Sequence, residues 1–237
     1  MMIGNCVLGV TPKIVLSLSE AVLPGHKKGV SRPFDMVEMR IDLFNLSDEK
    51  LFRFTDSLAA YPTIATIRSK CEGGQWRLPE SKRLTLFKKI MPSVGAVDIE
   101  LSSKNILGDV ISCAHDFNKK VIVSYHNFDG TPTYRKLDQI FNQAEKVGAD
   151  IVKVAVLSKR DSDIQRVARF TIEHANQNIV TLAMGDSGAL SRLFFPALGS
   201  LFTYGYMGKP TAPGQMDCHE LSRLMKIFYT SRQGSVV

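Results

Sequence analysis

The chain has 237 residues, 44% of them hydrophobic and 22% charged, which is ordinary globular composition and excludes a disordered or collagen-like chain. That length fits one large domain spanning 1–237, and it is close to the usual size of a (β/α)8 barrel. The net charge is +7, but the Lys and Arg residues are scattered and no basic stripe is interleaved with aromatics, which argues against nucleic acid and leaves an anionic small molecule open as a partner.

Residues 1–12 precede the first strand and are expected to form a short hairpin closing the barrel's bottom. Short β-branched runs then recur at 14–17, 36–41, 63–67, 96–101, 121–125, 151–156, 179–183 and 201–204. Segments with helical spacing lie between most of them. The stretch 47–60 opens with Ser47-Asp48-Glu49 and puts Leu51, Phe54 and Leu58 on one face. The stretch 79–91 starts at Pro79-Glu80 and repeats Leu84, Phe87 and Ile90. Stretches 134–147, 161–176 and 215–230 have similar spacing, whereas 20–33, rich in Gly and Pro, is the weakest helix of the set. Eight strand–helix repeats in this length predict an α/β fold, a parallel (β/α)8 TIM barrel, rather than an open sheet.

The longest stretch without a charge, 193–208, holds Pro196 and three glycines and is too short and broken to span a bilayer. The N-terminus lacks a basic region leading into an apolar one, so no secretory signal is expected. The four cysteines form no C-x-x-C and the five histidines no H-x-x-x-H pair. Free thiols in the cytoplasm, with no metal site, are expected.

Alternate strand residues share a face. Glu38 and Arg40 share one, as do Thr66 and Arg68, Asp98 and Glu100, and Ser124 and His126. In the sixth run Lys153 lies between Ile151 and Ala155 on one face, with Val152 and Val154 on the other. The face toward the helices must be apolar, so the charged face points into the barrel on five consecutive strands. An unpaired buried charge costs several kcal/mol, so these groups must pair or do chemistry. Lys153 is the most informative. Burial disfavours its ammonium and leaves an amine able to attack a carbonyl; the structural alternative is an ion pair with Glu38, Glu72 or Glu100. His126 ends the preceding strand, and neighbouring strands lie about 4.8 Å apart, so His126 and Lys153 are expected to be close. A lysine with an imidazole beside it points to Schiff-base chemistry with His126 moving protons.

The segments Glu38-Met39-Arg40, Arg68-Ser69-Lys70-Cys71-Glu72-Gly73-Gly74, Ser124-Tyr125-His126-Asn127-Phe128, Ala149-Asp150-Ile151-Val152-Lys153, Met184-Gly185 with Ser191-Arg192, and Ala212-Pro213-Gly214-Gln215 occur in that order along most of the chain. Together they resemble the type I 3-dehydroquinate dehydratases of the shikimate pathway, whose fold is also a (β/α)8 barrel. The resemblance implies Lys153 as the imine-forming lysine, His126 as general acid/base and Glu72 as the carboxylate orienting it. It implies Glu38, Arg40 and Arg68 at the ring hydroxyls, and Arg192 and Gln215 at the substrate carboxylate. Ser17, Met184, Tyr204 and Thr211 complete the expected substrate contacts. Thr211 stands where the family often has Ser, keeping the hydroxyl and adding a methyl. No metal or organic cofactor is implied. The expected partner is the small molecule 3-dehydroquinate, without nucleic acid or membrane; a homodimer and a natural C-terminal fusion to shikimate dehydrogenase stay open. Two rivals remain at this point: a class I aldolase, told apart by carbon–carbon cleavage, and a binding barrel that holds ligand without turnover. The segment 205–215, rich in Gly and Pro after the eighth run, is expected to be a lid ordered by ligand.

Overall fold

The computed structural model describes residues 1–23 and 32–229. Its strands are β1 (Met2–Ile3), β2 (Cys6–Val7), β3 (Lys13–Leu18), β4 (Met36–Arg40), β5 (Thr63–Thr66), β6 (Ala96–Glu100), β7 (Lys120–Asn127), β8 (Ile151–Leu157), β9 (Ile179–Met184), β10 (Phe202–Tyr206) and β11 (Met216–Asp217). The helices are α1 (Asp48–Ser57), α2 (Glu80–Ile90), α3 (Leu107–Asp116), α4 (Tyr134–Lys146), α5 (Asp161–Glu173), α6 (Ser191–Phe194) and α7 (Cys218–Tyr229). Strands β3 to β10 are the eight expected runs, and each pairs in parallel with its neighbour in the order β10-β3-β4-β5-β6-β7-β8-β9. Among the described residues helices follow seven of the eight. This is the (β/α)8 barrel that the alternation predicts.

The sequence dictates the layering. Val37, Met39, Val97, Ile99, Val123, Val152, Val154 and Val156 point outward into one apolar shell with Phe87, Val110, Phe141 and Phe170 of the helices. Burying such side chains is worth about 1.5–3 kcal/mol each. The alternate residues Val15, Met36, Ile64, Ala96, Ile122, Ile151, Val180 and Phe202 point inward and form a second, separate apolar layer. Strands β1 and β2 form the expected antiparallel hairpin. Its Ile3 is fully buried in that inner layer and plugs the bottom of the barrel.

One joint is different. No ladder connects β9 and β10. Leu201 N–H donates to Ile179 O at 2.9 Å, and two serine hydroxyls serve the rest of the edge. Ser200 Oγ accepts from Thr181 N at 3.1 Å, and Ser191 Oγ accepts from Ala183 N at 3.0 Å. The short α6 that carries Ser191 sits at this joint, so backbone groups of β9 are satisfied by side chains instead of a neighbouring strand.

Several boundaries differ from the expectation. The last helix starts at Cys218, not at 215, because Met216 and Asp217 are extended and pair with Gly205 and Tyr206. Strand β7 runs on to Asn127, so His126 lies within it. Strand β5 stops at Thr66, leaving Arg68 just beyond its end. Helix α3 had no counterpart among the expected helices. Of the connection 20–33, residues 24–31 lie outside the described residues, as does residue 230 of the last expected helix. Among the described residues no helix is long and apolar enough to cross a membrane.

Candidate active site

The C-terminal ends of the barrel strands surround a cavity with about 80 Å³ open to the centres of water-sized molecules. Its lining includes Glu38, Arg40, Arg68, Glu72, His126, Lys153, Met184, Arg192, Tyr204, Thr211 and Gln215. Of the residues expected at the site, only Ser17 is outside this lining, and it touches two that are in it. Ser17 Oγ donates to Glu38 Oε2 at 2.6 Å and accepts from Thr211 Oγ1 at 2.9 Å.

Lys153 is buried at the centre. Its Nζ donates to Asp98 Oδ2 at 2.9 Å and to Tyr204 Oη at 3.1 Å, with Glu38 Oε1 at 3.7 Å. Of the three carboxylates weighed as its partner, only Glu38 is near; Glu72 and Glu100 are engaged elsewhere. Arg68 knits the lattice together. It reaches Asp98 Oδ1 at 2.8 Å, Glu100 Oε1 at 3.1 Å and Ser124 Oγ at 2.6 Å. Burial alone would raise the Asp98 carboxyl, but Arg68 and Lys153 beside it hold it far below the usual carboxylate range. Glu100 is closed off by Arg83 from α2, by Ser103 Oγ at 2.7 Å and by Ser69 N at 2.8 Å. Arg40 is gripped bidentately by Asp42, with both bonds at 2.9 Å. These buried charges are therefore paired rather than left in apolar surroundings. With two carboxylates beside Nζ, attack on a carbonyl requires Nζ to give up protons.

His126 is held by one carboxylate in two ways. Glu72 Oε2 accepts from the His126 backbone N–H at 2.8 Å and lies 3.1 Å from Nδ1. An ionised Glu72 makes Nδ1 the protonated nitrogen and leaves Nε2 as a base. Burial, and then the charges of Arg68 and Lys153, push His126 well below its ordinary value, so the ring is neutral at rest. Burial also raises Glu72, to about 7, against the opposing pull of Ser102 and Arg68. Glu72 lies on a 3-10 turn, Lys70–Glu72, and the left-handed Gly73 (φ 80°) that ends it leaves no room for a Cβ against the Phe128 ring.

Arg192 reaches the cavity from α6 at the open joint. It donates to Gly214 O at 2.6 Å, Pro213 O at 3.1 Å and Tyr204 O at 3.3 Å. Burial holds its guanidinium down to about 10, with no compensating charge among the described residues. Thr211, Ala212 and Gln215, from the loop after β10, also line the cavity. Gln215 Oε1 accepts from Thr211 N at 2.5 Å and Ala212 N at 3.2 Å, which leaves the side-chain NH2 for a ligand. Gly214, at φ 68°, packs against Gly185, where a Cβ would come within 2.4 Å of the Gly185 carbonyl oxygen. Among the described residues no cluster of His, Cys, Asp and Glu is arranged to hold a metal ion.

Asp98, Ser102 and Arg83 were not among the expected site residues. Asp98 was legible as an inward carboxylate, but not as the one that meets Lys153 two strands away. Nothing in the sequence signals Ser102 or Arg83.

Comparison with known proteins decides the family. A family model described as type I 3-dehydroquinase matches residues 13–232. The chain belongs to the type I 3-dehydroquinase family. The 3-dehydroquinate dehydratase of Methanocella arvoryzae is 35% identical over 217 residues, covering 92% of this chain and 97% of that protein. The enzyme of the same name from Methanococcoides burtonii is 32% identical over 231 residues, covering 95% and 98%. Among solved structures, the type I dehydratase of Clostridium difficile, determined with covalently modified comenic acid, superposes with a TM-score of 0.85 at 26% identity, covering 98% of each chain. A dehydroquinate dehydratase and shikimate dehydrogenase structure from S. pombe covers 89% of this chain and 43% of that one, with a TM-score of 0.72; at 22% identity it speaks for the fold alone. A 3-dehydroquinase dehydrates its substrate, so a carbon–carbon-cleaving aldolase and an inert binding barrel fall away.

Proposed function

We propose that this 3-dehydroquinase converts 3-dehydroquinate to 3-dehydroshikimate through an imine on Lys153, with His126 as the proton carrier. The observation behind the proposal is the placement of Lys153 Nζ in a cavity shared with a neutral, carboxylate-oriented imidazole. The lysine ammonium and the substrate ketone combine to an iminium and one water. Two of the three ammonium protons leave with the ketone oxygen, and the third stays on nitrogen. The amine is the nucleophile in this step, so Tyr204 and Asp98 keep Nζ in place while it is transiently deprotonated. The iminium draws electrons from the adjacent carbon, and His126 Nε2 removes that carbon's proton to give an enamine. The enamine then expels the β-hydroxyl, which takes the proton back from the imidazolium and leaves as water. Water hydrolyses the remaining iminium and restores the ammonium. Glu72 keeps His126 in the tautomer that does this work. Arg192 and the free NH2 of Gln215 suit the substrate carboxylate, and Glu38, Arg40 and Arg68 suit its hydroxyls.

The four free cysteines suit a reducing compartment such as the cytoplasm. A homodimer and a fusion to shikimate dehydrogenase are both compatible with this reading. The test is reduction with borohydride in the presence of product, followed by peptide mass analysis. A stable added mass on the peptide holding Lys153 is expected. Labelling at another lysine refutes the assignment.

A further inference from the structure

Glu72 has two oxygens and two kinds of partner. Oε2 faces the backbone N–H and the ring of His126. Oε1 accepts a hydrogen bond from the hydroxyl of Ser102, in the loop that joins β6 to α3. That loop is anchored by its next residue. Ser103 Oγ donates to Glu100 Oε2 and accepts from Arg83 Nη1 at 2.9 Å, and Ser103 N–H returns to Glu100 O at 3.0 Å. Arg83 is fully buried and also donates to Ile67 O at 2.7 Å, so one guanidinium fastens the loop to α2 and to the end of the third barrel strand. Ser103 is thus fixed, and Ser102 is turned toward Glu72.

We propose that Ser102 is a positioning residue for the acid/base pair, holding Glu72 in the ionised, Nδ1-facing form that keeps His126 Nε2 free as a base. This rests on the role of His126 given above. The groups that face Glu72 are the charged Arg68 from beyond the end of β5, the charged Glu100 from β6 and the neutral imidazole of His126 from β7. Arg68 favours the carboxylate and Glu100 opposes it, while burial works against the charge. Ser102 donates more strongly to an ionised Oε1 than to the carbonyl oxygen that remains once Oε2 is protonated. Once Glu72 takes a proton, its O–H competes for Nδ1, Nε2 becomes the protonated nitrogen, and the base is lost. Removing the Ser102 donor therefore makes Glu72 easier to protonate and moves the acid limb of activity upward.

A hydrogen bond of this kind shifts a carboxyl by about half a pH unit to one unit. Ser102→Ala is expected to move the acid limb of kcat/KM up by that amount. Its deficit against the unsubstituted enzyme reaches about three- to tenfold at the acid end and closes as pH rises. Ser102→Thr, which keeps the hydroxyl, is expected to restore the limb. The same pair is measured in a Glu72→Gln background, where Ser102→Ala has no carboxyl left to act on and shifts nothing. An acid limb unmoved by Ser102→Ala, with Glu72→Gln still altering the profile, overturns the role of Ser102 alone. A Glu72→Gln profile identical to that of the unsubstituted enzyme overturns the His126 reading beneath it. A deficit equal at every pH marks Ser102 as merely structural and also overturns the proposal.

Discussion

Replacing Arg192 with Met separates what a residue does for binding from what it does for stability. The substitution keeps much of the side-chain length and removes the charge. Burial holds the guanidinium down to about 10, below its usual value, which makes the charged form cost the folded protein about 3 kcal/mol. The folded value is the lower one, so this cost is present in full below about pH 10 and fades as pH rises above it. Against it stand the hydrogen bonds to the carbonyls of Tyr204, Pro213 and Gly214. Each contributes about 1 kcal/mol net, and the substitution strands three acceptors. The two effects nearly cancel, so Arg192→Met is expected to stay within about 1 kcal/mol of the unsubstituted protein. That corresponds to a Tm change of no more than about 4 °C for a chain of this size. Binding is another matter. A charged hydrogen-bonded partner for the substrate carboxylate is worth about 1.5–3 kcal/mol, so KM should rise by about 10- to 150-fold. Calorimetry gives the first quantity, and the absorbance of the conjugated enone product, followed against substrate concentration, gives the second. A Tm lowered by more than about 10 °C, or a KM changed less than about threefold, refutes the reasoning.

His126→Ala should slow elimination at least about 10²-fold while borohydride still traps some imine on Lys153; near-normal turnover places the proton transfer elsewhere. Hydrogen exchange across 205–215 should slow when product binds, and equal protection in both states rules out a lid. Cys71 is exposed, and the proposed chemistry uses no thiol, so Cys71→Ser should keep most of the activity; a folded variant with under about a tenth of it contradicts this. Gly73→Ala should raise KM more than it lowers Tm, because the new Cβ must displace the Phe128 ring that lines the cavity; unchanged KM shows that the ring yields freely.

The barrel was legible because its strands carry the pattern twice over. Val152, Val154 and Val156 mark the helix-facing side, and Ile151, Lys153 and Ala155 mark the interior. Helix α3 was harder to see, since Leu107–Asp116 includes Gly108, Ser112, Cys113 and His115, all weak helix formers. It is packed into place by Val110 and Ala114, whose environment the sequence does not display. Lys153 and His126 could be found because strand alternation is local. The contact between Asp98 and Lys153 could not, because it crosses β7 and depends on the curvature of the barrel. Ser102 sits in a turn, where no periodicity says which way a hydroxyl faces.

Ile3 and the inner apolar layer give the barrel a sealed floor. Among the described residues the barrel is stoppered at one end, and its reactive groups sit at the other. Thr211, Ala212 and Gln215 line the cavity at that other end, so their loop stands where a solute meets the reactive groups. Under the proposed chemistry each turnover releases two waters in the cavity and consumes one. The balance is one water per cycle, so the water that hydrolyses the iminium can be one that the reaction itself released.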